Sequence, residues 1–276
     1  MSNGDSAFRS GPLAGSAGSP IMEMRQVTKY FGSVVALEGV SFGIHRGEVT
    51  CILGDNGAGK STLVKILSGV FPPDEGELLL DGRSVRFNNP REAHREGIAI
   101  VYQDLALIPL MSVWRNFYLA QELTAGIWPV RWLRLRAAKE SVTLHLRELG
   151  IEIDDPDQMV GSLSGGQRQA LAIARAVVFG ARVLILDEPT SALGVRQAGI
   201  VLKLVAQAKN QGRAVVLITH NPHHAYPVGD RFVLLQRGRV VGAFVKGEIG
   251  VEELSRLMAG GEELAELRAE LQPGVP

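Results

Sequence analysis

The 276-residue chain has one cysteine, Cys51, so no disulfide can form within it, which fits a reducing compartment. It lacks any uninterrupted apolar run near the roughly 18–20 residues that a membrane-crossing helix needs. It also lacks an excess of charge of either sign: 29 Lys and Arg balance 29 Asp and Glu. A general nucleic-acid binder carries a basic excess, so no nucleic-acid partner is expected. The first twenty residues, MSNGDSAFRSGPLAGSAGSP, have no basic start followed by an apolar block. They read as a disordered Gly/Ser/Pro tail rather than a signal peptide. What is present is apolar content, 46% of the residues, ample for one large domain or two lobes.

Short alternating or β-branched runs follow the tail. MEMRQVTKYF and SVVALEGVSFGI read as strands, and EVTCILG as a buried strand ending in a glycine loop. STLVKILSG has helical spacing and stops at Gly69. GELLLDGRSV predicts a strand pair about an Asp81-Gly82 turn. GIAIVYQD predicts a strand ending at Gln103. Strand signals are then few until about residue 180, where helical patterns such as RLRAAKESVTLHLRELG dominate. VLILDEPTS and AVVLITH are apolar runs of the kind a parallel sheet buries on both faces. RFVLLQRGRVVGAF predicts a closing hairpin, and the last thirty residues space Glu and Leu helically. The expected organisation is a tail (1–20), a core (21–104), an all-helical insert (105–180), the rest of the core (181–245) and a helical C-terminal tail (246–276).

Gly54-Asp55-Asn56-Gly57-Ala58-Gly59-Lys60-Ser61, followed by Thr62, fits G-x-x-x-x-G-K-[ST] between a strand and a helix. Glycines let backbone N–H groups converge on phosphate oxygens, and the helix N-terminus adds partial positive charge. Lys60 is placed for the outer phosphates and the Ser61 hydroxyl for Mg²⁺. An ordinary glycine turn would explain the glycines but not the Lys-Ser-Thr after them. Asp187 and Glu188 end the apolar run VLIL, where ligands of open α/β sheets gather. Beside a phosphate loop, Asp187 suits a Mg²⁺ shell and Glu188 suits polarising the attacking water. Strand alternation is expected to point the two carboxylates opposite ways. Gln103 and His220 also follow strand runs. Gln103 offers an amide oxygen to Mg²⁺ or water, and His220 a hydrogen bond to a γ-phosphate. His220, His223 and His224 together suggest a metal cluster, but no nearby cysteine or second carboxylate motif supports zinc.

A second anion-binding pattern follows, LSGGQRQA. Ser164, Gly165, Gly166 and Gln167 open a helix whose N-terminal donors suit a phosphate. These motifs together resemble the ATP-binding cassette (ABC) ATPase family. The loop 54–61 is similar to its Walker A, VLILDE to its Walker B with the catalytic glutamate, and LSGGQ to its signature in every letter. Gln103 corresponds to the Q-loop, His220 to the switch histidine, and Phe31 to the aromatic that stacks on adenine. The resemblance covers roughly residues 21–245.

The resemblance implies an α/β P-loop NTPase core with a mostly parallel sheet, an antiparallel β subdomain and an inserted α-helical subdomain. It implies ATP and Mg²⁺ as cofactors. It further implies a head-to-tail homodimer in which each ATP lies between one chain's phosphate loop and the other's LSGGQ. ALGVRQ, NPHHAYPVGDRF and QDLALIP resemble the branch serving monosaccharide importers. That branch implies transmembrane permease subunits, a solute-binding protein at one remove, and a peripheral place on the cytoplasmic face of the membrane. Many of its members carry two cassettes where this sequence carries one, which is why a homodimer is expected. Gly194 departs from the pattern, since the family usually has an Asp there that links the two sites. Val113, Trp114 and Phe117 are expected either to receive a cytoplasmic helix of the permease or to form the lobe's core. A non-transport ABC protein using ATP-driven dimerisation is the alternative. A small-molecule phosphotransferase would leave LSGGQ and His220 unused.

Overall fold

Apolar strand runs separated by glycine turns assemble into two main sheets in the computed structural model, which describes residues 18–125 and 132–259. The expected N-terminal tail up to position 17 and the C-terminal stretch beyond 259 lie outside the described residues. β1 (Met22–Phe31) pairs with β2 (Val34–Ile44) on one side and β4 (Glu75–Leu80) on the other, and β4 pairs with β5 (Arg83–Val85). This sheet is wholly antiparallel, in the order β2-β1-β4-β5. Its predicted Asp81-Gly82 turn is present, with φ of 49° and 75°. Two successive positive φ values make the turn whose twist matches that of its flanking strands.

The second sheet contains β3 (Val49–Leu53), β6 (Ile98–Val101), β9 (Val183–Asp187), β10 (Ala214–Thr219), β11 (Arg231–Gln236) and β12 (Arg239–Val245). Its order is β12-β11-β3-β10-β9-β6, and every pairing is parallel except the closing β11–β12 hairpin. The strands lack polar alternation because both faces are covered. Cys51, Leu53, Leu184, Leu186 and Leu217 face one cluster, shared with the helices of the insert. Ile52, Ile185, Val216 and Ile218 face the other, shared with α1 (Lys60–Leu67) and the antiparallel sheet. Truncating a fully buried member such as Leu186 to alanine costs about 2–5 kcal/mol. The chain continues through α2 (Pro90–Arg95), α6 (Val195–Asn210), α7 (Pro222–Ala225) and α8 (Val251–Met258).

The insert holds α3 (Val113–Phe117), α4 (Leu135–Glu148) and α5 (Gly165–Val178), plus one short pairing of β7 (Thr124–Ala125) with β8 (Trp132–Leu133). Two-residue strands are too short to leave a period in the sequence. Val113, Trp114 and Phe117 are 0%, 5% and 0% exposed, so they are the core of this lobe and not a docking surface. Phe117 packs between Tyr118 and Phe179, with ring centroids 5.2 and 5.5 Å away. Exposed apolar side chains nearby include Ile108, Leu110 and Met159.

Candidate functional site

Parallel pairing brings the carboxyl ends of β3, β10, β9 and β6 to one edge, where all the strand-end motifs meet. The loop after β3 needs its glycines. Gly57 and Gly59 have φ of 83° and 105°, backbone that side-chain-bearing residues rarely adopt. A Cβ on Gly54 would lie 2.3 Å from the Leu235 carbonyl oxygen, and one on Gly59 2.9 Å from that of Ala36. Lys60 folds back over the loop, its Nζ donating to the carbonyls of Gly54 (2.7 Å) and Asp55 (2.9 Å). No side chain caps α1 at Gly59, so the first-turn N–H groups, those of Ser61 and Thr62 among them, lack intrahelical acceptors. A loop of glycines, an uncapped helix start and a buried ammonium together fit a polyphosphate.

Asp187 ends β9 and Glu188 follows it. Burial, and then the neighbouring Glu188 charge, push the Asp187 carboxyl above the usual carboxylate range, while Lys60 and Lys65 pull it back. A half-buried acidic pair of this kind is a donor set that a divalent cation relieves, and the exposed Ser61 hydroxyl starts the adjacent helix. Glu188 itself does not follow strand alternation. Its φ is 48°, a left-handed conformation held by its N–H donating to the Ile218 carbonyl at 2.9 Å. That turn, rather than the pleat, aims its side chain along the edge. Oε2 accepts from the Thr219 hydroxyl (3.2 Å), Oε1 lies 2.9 Å from His220 Nδ1, and Lys60 Nζ is 3.9 Å from Oε1.

Lys60, Glu188 and His220 are therefore in contact, with Asp187 beside them. Gln103 sits exposed in a bend two residues past β6, which ends at Val101 rather than at Gln103 as the sequence suggests. Phe31 is 44% exposed at the end of β1, edge-on to Phe71 at 5.5 Å. The suggested histidine metal cluster does not form. His224 is engaged by Thr190 at 2.9 Å, and among the described residues no group of three or more His, Cys, Asp and Glu is gathered as a metal cluster.

The signature residues open α5. Ser164 is its N-cap, with its hydroxyl accepting from Gln167 N–H while the Gln167 side chain accepts from Ser164 N–H at 3.0 Å. This capping box holds the helix start rigid and leaves the N–H groups of Gly165 and Gly166 without intrahelical acceptors. Among the described residues the contacts of this motif run to Glu152, Leu163, Leu193 and Gln197, not to the phosphate loop.

Two groups escaped the reading of the sequence. Asn116, fully buried on α3, accepts from Ile108 N–H (2.8 Å) and donates to the carbonyls of Ile108 and Met111, pinning the segment that follows Gln103. No sequence signal marks it. Thr219, the Glu188 partner, stood in view as the polar residue ending AVVLIT. A cavity of about 220 Å³ also borders Gly54–Ala58 on the β11–β12 side, and neither Lys60, Asp187, Glu188 nor His220 lines it.

The profile of the ABC transporter family matches residues 37–191. A xylose/arabinose import ATP-binding protein of Sulfolobus acidocaldarius is 47% identical over 240 residues, 87% of this chain and 94% of that protein. A fructose import ATP-binding protein of Rhizobium meliloti is 40% identical over 251 residues, 90% of this chain and 96% of that protein. A solved dimeric structure of a post-hydrolysis ATP-binding cassette, bound to ADP and Pi, superposes with a TM-score of 0.67 at 27% identity, covering 81% of this chain and 98% of that one. With this match extending over more than half its length, and with the strand-edge constellation in place, the chain belongs to the ABC transporter family of ATPases.

Proposed function

We propose that this chain is the ATP-hydrolysing subunit of an importer for a small sugar, working as a head-to-tail homodimer beneath a separate permease. The observation that carries the reading is the contact of Glu188 with both His220 and Lys60 at the end of a uniformly parallel sheet edge. The backbone of Gly54–Gly59, with Lys60, Ser61 and Thr62, holds the phosphates of ATP, and Phe31 stacks on the base. Asp187, Ser61 and Gln103 hold Mg²⁺, which when bound neutralises charge on the phosphate oxygens. Glu188 accepts the proton of the attacking water, and His220 keeps that carboxylate and the γ-phosphate in line.

Ser164, Gly165, Gly166 and Gln167 serve the nucleotide of the opposite protomer. Their helix start is built and capped, yet among the described residues its contacts run to its own lobe and α6. A donor set prepared in this way is completed by a second copy. Sugar import is the role that the names of the relatives above give, and their match covers 87% and 90% of this chain. Among the described residues no helix is long and apolar enough to cross a membrane, and the reading assigns the transport path to the separate permease.

The test is to tag the chain in its native cell, solubilise membranes in mild detergent and identify what co-purifies. A multispanning protein should be recovered, and cells carrying only Glu188→Gln should lose uptake of one sugar class. Recovery of the chain with no membrane partner, together with normal uptake of every sugar tried, would refute the importer reading.

A further inference from the structure

We propose that His224 is a positioning residue: with Thr190 it forms a clasp that ties the loop after Glu188 to the short helix after His220. The inference rests on the roles given to Glu188 and His220 above. The two residues are 34 positions apart, and His224 Nδ1 lies 2.9 Å from the Thr190 hydroxyl. Thr190 is only 3% exposed, so its hydroxyl has little water to turn to. Burial, then the nearby His223 and His220, keep the His224 imidazole below the usual histidine range. A neutral ring can either donate to the hydroxyl or accept from it, whereas an imidazolium can only donate.

The contact closes a ring. Glu188 Oε1 meets His220 Nδ1, and the next residue, Asn221, caps α7 by accepting from the N–H groups of His223 (3.0 Å) and His224 (3.4 Å). His224 then returns through Thr190, two residues from Glu188. Within the loop, Ser191 N–H and hydroxyl both donate to the Glu188 carbonyl, at 3.3 and 3.1 Å. The ring surrounds a strained residue, because Glu188 holds its φ of 48° only where neighbours over-determine it. The far end of the same loop gives no help: Gly194 begins α6 without a side-chain cap. Polar anchorage of the loop is concentrated at its Glu188 end, and His224 extends it to Thr190 from beyond the end of the neighbouring parallel strand β10. A carboxylate displaced by about 1 Å loses on the order of 10²-fold in rate, so a partial loosening shows in turnover before it shows in binding.

The experiment is a double-mutant cycle on steady-state ATP hydrolysis with His224→Ala, Thr190→Val and the pair, alongside His224→Asn. The Asn amide takes the place of Nδ1. His224→Ala and Thr190→Val should each lower kcat about tenfold with KM for ATP within about twofold of wild type. The double variant should be no slower than the slower single, and His224→Asn should recover most of the loss. Additive losses, a raised KM with unchanged kcat, unchanged turnover in both singles, or an Asn variant no better than Ala would each overturn the clasp. A wild-type chain whose ATP turnover is absent or independent of Glu188 would instead overturn the functional reading on which the clasp rests.

Discussion

Replacing Glu188 by glutamine removes one charge and almost no shape. The amide oxygen can accept from Thr219 as Oε2 does, and the NH₂ can donate to His220 Nδ1 where Oε1 now sits 2.9 Å away. Two electrostatic changes oppose each other. Lys60, 3.9 Å away, loses a partner, while Asp187 loses the neighbouring negative charge that helps push its pKa up. Fold stability should therefore move little, with Tm within about 2 °C of wild type. ATP binding should be kept or tightened, since a negative charge beside the triphosphate is gone. A positioned general base contributes typically 10²–10⁴-fold, about 2.7–5.4 kcal/mol of barrier at 1.36 kcal/mol per tenfold. Phosphate release should fall by that factor while nucleotide affinity, followed by a fluorescent analogue, survives. Turnover within threefold of wild type would refute the assignment of Glu188 as base; loss of binding and Tm together would refute the isosteric reasoning.

Lys60→Ala removes the ammonium that bonds the Gly54 and Asp55 carbonyls, and should weaken ATP binding itself by tenfold or more in equilibrium titration. Ser164→Arg places a bulky cation at the capped start of α5; it should abolish the ATP-dependent dimer in size-exclusion chromatography of the Glu188→Gln background while monomer binding persists. Gly194→Asp should raise stability by roughly 0.5–1 kcal/mol in chemical denaturation, because φ −68° and ψ 162° suit an N-cap and a Cβ there meets nothing within 4 Å. Gly165→Ala and Gly166→Ala should differ in the same assay. The first meets only the tip of Leu193 at 3.1 Å and should be neutral or stabilising, whereas the second meets Gln197 Cβ at 3.0 Å and should cost about 1 kcal/mol.

The strand edge that carries the proposed catalytic residues was legible because its motifs are written in contiguous residues after apolar strand runs. Once β3, β9 and β10 are recognised as parallel, Lys60, Asp187, Glu188 and His220 fall at one edge without further knowledge. What was hidden depends on pairings between distant segments or on backbone conformation. Nothing in VLILDEPTS announces that Glu188 leaves the strand in a left-handed turn, so alternation gave a sound general rule for a residue to which it does not apply. The Thr190–His224 bond joins two segments whose spacing carries no motif. The exposed or buried state of Val113, Trp114 and Phe117 was open for another reason. A five-residue helix is too short to show an amphipathic face, and only the packing of Phe117 against Tyr118 and Phe179 decides it.

Under the proposed dimer, glycine in LSGGQ meets two separable demands. Presenting N–H groups to a phosphate asks only for helix-start geometry, which Ser164 and Gln167 already enforce through their reciprocal bonds. An alanine at either glycine would keep those N–H groups. The second demand is close approach: Gly166 is buried against the first turn of α6, where Gln197 leaves no room for a methyl group. Since α6 follows its N-cap Gly194, directly after the loop that carries Thr190, the start of α5 packs against the helix that continues the loop following Glu188. One short segment, residues 190–197, therefore touches both the start of α5, through Gln197, and the helix after His220, through Thr190.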